Sequence, residues 1–516
     1  MAQPFKPPAT QRIYDVCVIG SQLGGALAGA LLARRGYRVL HVDHDGVGGT
    51  YEDGGYLLPH APAVLPSPRI LPAGEAALTE LGLATDTMRS LEPCHPDLQI
   101  LLPRHRIDLG HEPARRLQDL RREWPQDADR LEAAFVELAR LFDAASPFMR
   151  AMPPLPPAGF GERRAVSKAI KFAASAPGAR KELLDEARAF AGLEGHPLVA
   201  ALTTAQRFFG YLEGEPSPLA TARLLGGVLR GSHRMAGGVQ GLRDAIRRKI
   251  ADSRGELLGA EEGAAIVERL EVDGGKVTSV RLAGSSNAWV ARVYVAATDA
   301  PAMQRLLPPD EATGKMAQLL AGVKPNRQLL SVNLVVKTAA LPPALGDAVL
   351  ALRDAAGPDA IENAVLLQVF PARRDKGKGA SELVADERVI CAAAFVPADA
   401  RDRGEDHLAA LGAQIREAVA DAVPFFERHL LRESLPVLAS PRERRGSRIL
   451  PHPLYQVTLE QALGVTGLPV RSPYKNLVFA GREVVPGLGI EGEFHAGVQA
   501  AAAAQELLGR KESMRG

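Results

Sequence analysis

The chain has 516 residues, 46% hydrophobic and 24% charged, so it is long enough for two or more structural units and too apolar for general disorder. Lys plus Arg is 62 and Asp plus Glu is 60, a net charge of +2 that lacks the basic excess of a nucleic-acid binder. Cys17, Cys94 and Cys391 lie too far apart for a disulfide framework or a spaced metal cluster, and no apolar run approaches the ~18 residues of a membrane span. Residues 1–12 are proline-rich and polar without the apolar region of a cleaved signal, so a flexible N-terminus and a cytoplasmic protein are expected.

Tyr14 to Ile19 is a short apolar, β-branched run of the kind that forms a buried parallel strand. Gly20-Ser21-Gln22-Leu23-Gly24-Gly25 follows, then a small-residue helix from Ala26 to Ala33 closed by Gly36. A second strand, Arg38 to Val42, ends in Asp43, 23 residues after Gly20. Strand, glycine turn, helix, strand and acid at this spacing form a dinucleotide-binding unit. Gly20 permits the turn, Gly25 lets the helix approach the strand, and the helix N-terminus offers free N–H groups to a pyrophosphate. Asp43 would accept from a ribose 2′-hydroxyl and repel a 2′-phosphate, which argues against NADP. Gln22 stands where the pattern has its middle glycine, so it either crowds the phosphate or offers its own amide donor. The plainer alternative is the same strand–helix–strand unit with no ligand. Asp45 to Thr50, with Gly48 and Gly49 paired, is either a plain loop or a close backbone approach.

Leu131, Phe135, Leu138 and Phe142 recur at helical spacing, and residues from about 113 to 233 read as mostly helical. Pro153 to Pro157 is a stiff linker. Val166, Ala169, Ile170 and Ala173 share one face of a helix whose other face carries Arg163, Arg164, Lys168 and Lys171. Such a helix can lie on an anionic membrane surface, or serve as a cap helix with a solvated basic face. Arg234 to Leu242 holds a double-glycine turn, followed by a helix with Leu242, Ile246 and Ile250 on one face. Strands are expected at 254–258, 266–272, 277–282 and 293–299, the middle pair joined by the turn Asp273 to Lys276. Further strands are expected at 329–336, 364–370 and 389–396, with a charged, solvated loop at 375–379 and a helix at 407–422. Asn476 to Glu483 is a strand ending in Ala-Gly, and the glycine-rich run Pro486 to Gly492 enters a last helix through Gly497. The twelve histidines show no metal-ligand spacing; His495 either faces the site or is structural. No catalytic acid–base pair can be placed by spacing.

Taken together, these segments resemble the phytoene desaturase and carotenoid isomerase group of FAD-dependent oxidoreductases, within the amine-oxidase-like flavoproteins. The resemblance rests on Gly20 to Gly25 with Asp43, the Gly237-Gly238 turn, and Gly481 with Pro486, Gly487, Gly489, Ile490, Gly492 and Gly497. It implies an α/β fold: a Rossmann-type FAD domain from segments 13–110, 234–310 and 471–510, a helical cap at 111–233, a mixed-sheet substrate domain at 311–470, and a flexible tail at 511–516. It implies FAD held by Gly20, Gln22, Gly25, Asp43, Gly48, Gly49, Val267 (against the adenine), Gly481, Glu483, Gly489, Ile490 and Gly492. An acid is usual at Arg482, where Glu483 takes the role one position later, and an arginine is usual at Thr50. The resemblance further implies an oxidoreductase of the desaturase, isomerase or oxidase kind. Its substrate would be apolar, isoprenoid- or carotenoid-like, and its electron acceptor oxygen or a quinone. The same superfamily contains the Rab GDP-dissociation inhibitor, and the run Val39 to Asp43 with Gly48-Gly49 is similar to the N-terminal run of that protein. The alternative is therefore a non-catalytic lipid- or protein-binding relative with weak or lost FAD binding.

Overall fold

The computed structural model describes residues 13–44, 48–174, 189–259, 266–285, 288–377, 380–440 and 452–509. The expected flexible termini 1–12 and 511–516, Asp45 to Val47 of the paired-glycine loop, and Lys378 and Gly379 of the charged loop lie outside them.

Strand β1 (Ile13–Ile19), helix α1 (Leu23–Arg34) and strand β2 (Val39–Val42) form the expected unit. Val16, Cys17, Val18 and Ile19 are fully buried, as a central parallel strand covered on both faces must be. β1 pairs in parallel with β2 on one side and with Ala288–Ala296 on the other, Val16 opposite Val39 and Val293. Glu256–Leu258 and Leu477–Phe479 extend the parallel sheet outward. The hairpin of Val267–Asp273 and Lys276–Leu282 joins it antiparallel. One sheet thus gathers strands from the start, middle and end of the chain.

A second, ten-stranded mixed sheet is built chiefly from Val323–Lys337, Ala364–Gly377 and Ala380–Pro397. The helix Glu405–Ala422 covers one face, with Leu408, Ile415 and Val419 in a core against Val332, Val349 and Ile390. The helices Ala128–Arg150, Pro197–Phe209 and Pro218–Val228 cover the other, through Leu131, Phe135, Leu202 and Leu225. Asp375 to Gly377 belong to the hairpin between two of these strands, which runs further than the charged composition suggests.

The expected domain boundary at 110 is corrected. Thr50–Asp53, Tyr56–Pro59, Leu98–Leu102 and His105–Leu109 all lie in the second sheet, while the helix Pro72–Glu80 between them packs back into the core of the first through Ala73, Ala77 and Leu78. Leu98–Leu102 pairs in parallel with Ala348–Leu352, a contact of long sequence separation that no local pattern announces. The basic helix forms as Phe160–Ala174, and Val166, Ala169 and Ala173 pack into the protein core. No helix among the described residues is long and apolar enough to cross a membrane.

Gly25 sits where α1 crosses the Ala288–Ala296 strand's continuation: a Cβ there would lie 2.1 Å from the Cβ of Ala297. Gly25→Ala is expected to destabilise the protein by about 1–3 kcal/mol, the range for overpacking a close-packed contact. Urea unfolding measures it, and an unchanged midpoint would show that α1 can shift away.

Candidate functional site

The turn between β1 and α1 is built tightly. Gly20 has φ +111, and a Cβ there would lie 2.2 Å from the Ala297 carbonyl oxygen. Gln22, the N-cap of α1, makes no side-chain cap bond to the helix. Its side chain instead crosses to the chain's distant segments. The amide Nε2 donates to Asp299 Oδ1 at 2.9 Å and Glu483 Oε1 at 3.3 Å, while Oε1 accepts from the Arg482 N–H at 2.8 Å. Gly481 makes room: a Cβ there would lie 2.2 Å from Gln22 Oε1. Gln22 therefore ties the three segments of the domain together, a role neither the crowding nor the phosphate-donor expectation included.

Asp299 and Glu483 share more than Gln22. The Tyr455 hydroxyl lies 2.8 Å from Asp299 Oδ1 and 2.9 Å from Glu483 Oε1, and all three residues are buried. Burial, and then the neighbouring Asp299 charge, push the Glu483 carboxyl up to about 8. Arg482 lies partly buried beside this cluster, its guanidinium 5.4 Å from the Tyr211 ring centre. Burial alone would lower its pKa, but the facing Tyr455, Asp299, Glu493 and Tyr211 raise it.

On the nucleotide side, Asp43 ends β2 almost fully buried. Two guanidiniums of the helix Gly238–Asp252 face it, Arg243 Nη1 at 3.7 Å and Arg247 Nη1 at 3.5 Å. Arg243 also donates to the Ser21 carbonyl at 3.0 Å. The Val267 N–H donates to His44 Nδ1 at 2.8 Å. Gly49 packs on the second double-glycine turn, where its Cβ would lie 3.0 Å from Gly241 Cα. Gly489 (φ +55) and Gly492 bring the C-terminal helix, Gly489–Leu508, close to Phe209 and Val485 backbone.

A cavity enclosing about 1220 Å³ of non-atom space, part of it open to solvent, starts at this turn. Ser21, Gln22, Leu23, Arg243, Arg482 and Glu493 line its polar end. Leu65, Phe208, Phe209, Leu224, Val228 and Ile490 line an apolar end beneath the helical layer. Arg223 and Glu491 lie in its wall as a buried bidentate pair, at 2.6 and 2.7 Å, with the guanidinium stacked 3.9 Å from the Phe142 ring centre. That pair clamps the C-terminal helix to the helical layer. His495 points away: its Nε2–H donates to the Pro153 carbonyl at 2.7 Å, and burial lowers its pKa to about 4, so its role is structural.

Of the residues expected to hold a cofactor, Gln22 and Ile490 line the cavity. Gly20, Gly25, Gly481, Gly489 and Gly492 shape the backbone around it, and Asp43, Gly48, Gly49 and Val267 stand toward the β2 end. Glu483 lies behind Gln22, in the carboxylate cluster. Sequence reasoning missed Arg243, Arg247, His44, Tyr455 and Glu493. Some of these left a signal: Arg243 and Arg247 are spaced i, i+4 on the helix after the glycine turn. Glu491 and Glu493 are two acids at the head of a helix otherwise uncharged until Glu506.

A family model described as an NAD(P)-binding Rossmann-like domain matches residues 18–81. No curated protein matches the sequence significantly. Among solved structures, the chain is similar to an oxidoreductase from Methanosarcina mazei, at TM-score 0.56 and 13% identity over 95% of this chain and 100% of that one. It is similar to cyclohexylamine oxidase from Brevibacterium oxydans, at TM-score 0.54 and 17% identity over 96% and 100%. Putrescine oxidase bound to putrescine aligns at TM-score 0.54 and 15% identity over 97% and 100%. The likeness is one of fold: a Rossmann-type dinucleotide-binding domain within an amine-oxidase-like α/β architecture.

A dinucleotide in such a fold lays its pyrophosphate on the N-terminus of the first helix. The glycine turn, the acid closing β2 and the cavity at the turn suit that placement. The polar contacts are already engaged by this chain's own side chains: the Leu23 N–H by Glu493, the Val267 N–H by His44, and Asp43 by two arginines.

A carboxyl whose folded pKa is raised favours the folded state while protonated, so Glu483 costs stability as pH rises from its ordinary 4.5 through about 8. In Glu483→Gln that cost disappears. The stability difference between variant and parent is expected to grow in the variant's favour, on the order of a few kcal/mol, between pH 5 and 8.5. Urea unfolding at both pH values measures it, and a constant difference would show that the Glu483 carboxyl is not raised.

Proposed function

We propose that this chain is an FAD-dependent oxidoreductase acting on an apolar small molecule, of the desaturase, isomerase or oxidase kind. One observation carries the reading: the dinucleotide turn at Ser21 to Leu23 and the apolar side chains of Phe208, Phe209, Leu224 and Val228 line one cavity. A cofactor anchored at the turn would present its reactive end to the apolar end of that cavity, as cofactor enzymes require.

FAD when bound supplies two-electron transfer at a weakly activated carbon. The chain's own contribution is orientation and dryness. The N-terminus of α1 and Arg243 would meet the phosphates, and Asp43 and Val267 the adenosine. The buried Arg223–Glu491 pair fixes the C-terminal helix against the helical layer, holding the chamber's shape. The apolar chamber selects an isoprenoid- or carotenoid-like substrate by burial of hydrocarbon surface. A diffusible acceptor, oxygen or a quinone, would reoxidise the flavin. One structural relative is an oxidase bound to putrescine; the apolar chamber here speaks for a less polar substrate.

A second reading is favoured by a specific observation. The dinucleotide contacts at Leu23, Asp43 and Val267 are all internally engaged, as in a binding protein of the same fold that has lost its cofactor. Absorbance of the purified protein separates the two. The enzyme reading expects visible flavin bands as isolated or after reconstitution with FAD, bleached anaerobically by an apolar polyene or isoprenoid substrate. A colourless protein that takes up no FAD supports the binding protein.

The reading also includes membrane contact through the basic face, where Arg164, Lys168 and Lys171 are exposed and Arg163 is paired with Glu460, with Phe160 and Phe172 exposed on the same helix. Each cation near an anionic surface contributes ~1 kcal/mol. Reversing the three charges is expected to abolish co-sedimentation with anionic vesicles at low salt, and a parent that ignores such vesicles would remove membrane contact from the proposal.

A further inference from the structure

The N-terminus of α1 already carries a carboxyl group, whose pKa burial raises while the facing Arg482 and the Tyr211 and Leu23 donors favour its charged form. Gln22 provides no side-chain cap, and the first turn of α1 contains no acid. The carboxylate comes instead from the far end of the sequence: Glu493 Oε2 accepts from the Leu23 N–H at 3.1 Å, across 470 residues. Glu493 Oε1 accepts from the Tyr211 hydroxyl at 2.7 Å, and Glu493 and Tyr211 are both buried. The placement is enforced by backbone. A Cβ on Gly24 would lie 2.0 Å from the Ala480 carbonyl oxygen and 2.9 Å from that of Glu493, and a Cβ on Gly497 would lie 2.6 Å from the Gly24 carbonyl oxygen. With glycines at the contact, α1 and the C-terminal helix cross closely, and residue 493 meets the head of α1 and the cavity.

We propose that Glu493 is an intramolecular anion that holds the pyrophosphate position, so that a dinucleotide binds only by displacing it. This rests on the reading of the cavity as a dinucleotide site and adds a residue that sets its affinity. Two anions cannot accept from the same Leu23 N–H, and both would sit at the positive end of one helix dipole, where a phosphate otherwise gains most. Arg482 and Arg243 line the same polar end, so an entering pyrophosphate meets cations as well as the competing carboxylate. Occupancy of the site thus depends on the Glu493 side chain leaving the helix end.

Titration of the full-length apoprotein with FAD, followed by flavin fluorescence, tests this. Glu493→Gln keeps the size of the side chain and an acceptor for Tyr211 but removes the charge; Glu493→Val removes both. Both variants are expected to bind FAD at least tenfold more tightly than the parent. Tyr211→Phe, which touches only the other carboxylate oxygen, is expected to change affinity less than threefold. Thermal unfolding confirms that each variant is folded, and if Glu493→Gln is not, Glu493→Val carries the comparison. Equal affinity in parent and variants overturns the role of Glu493 and leaves the dinucleotide site standing. No FAD binding by parent or by either folded variant overturns both, because removal of the carboxylate then opens nothing.

Discussion

The structure turns on a crossing of two helices in which glycines face the opposing backbone. Gly24 of α1 faces the backbone of Ala480 and Glu493, and Gly497 of the C-terminal helix faces the Gly24 carbonyl. Any Cβ at these positions would force the helices apart, since a close-packed interior has no slack to absorb it. The crossing sets everything around the turn: Gly481 stands close enough for Gln22 to reach Asp299, Glu483 and the Arg482 N–H, and Glu493 reaches the head of α1. It also closes the domain, because segments separated by 470 residues meet there.

Charge is distributed around this crossing in an unusual way for an apolar cavity. Arg223, Arg243, Glu491 and Glu493 line the cavity wall and are buried, and Arg482 beside them is half-buried. Desolvated charges are tolerated only when paired and hydrogen-bonded. Arg223 is paired with Glu491, Arg243 with Asp244 and the Ser21 carbonyl, and Glu493 with Leu23 and Tyr211. Such a lattice keeps the cavity's polar end ordered without a ligand.

The apolar end follows different physics. Phe208, Phe209, Leu224 and Val228 come from two helices of the cap, held against the second sheet by ordinary hydrocarbon burial. The bidentate Arg223–Glu491 pair links that cap to the C-terminal helix, so the two ends of the cavity share one mechanical joint.

Local pattern alone determined the strand–turn–helix–strand unit at the start of the chain, because a buried parallel strand, a glycine turn and a small-residue helix each have a short-range signature. It determined the helical cap and its buried face of Leu131, Phe135, Leu138 and Phe142 for the same reason. Its reach ended where contacts are made across the chain. The strands Leu98–Leu102 and His105–Leu109 joined the second sheet through a parallel pairing with Ala348–Leu352, from a distant part of the sequence. Gln22 looked like a defect in a phosphate turn and is a three-way tie, because its partners at 299, 482 and 483 are adjacent only in space. Glu493 follows the glycine-rich run at the start of the last helix, where local pattern assigns it no role. Only the close crossing of the two helices, a property of backbone separation that no spacing of residues encodes, decided that its carboxylate caps α1.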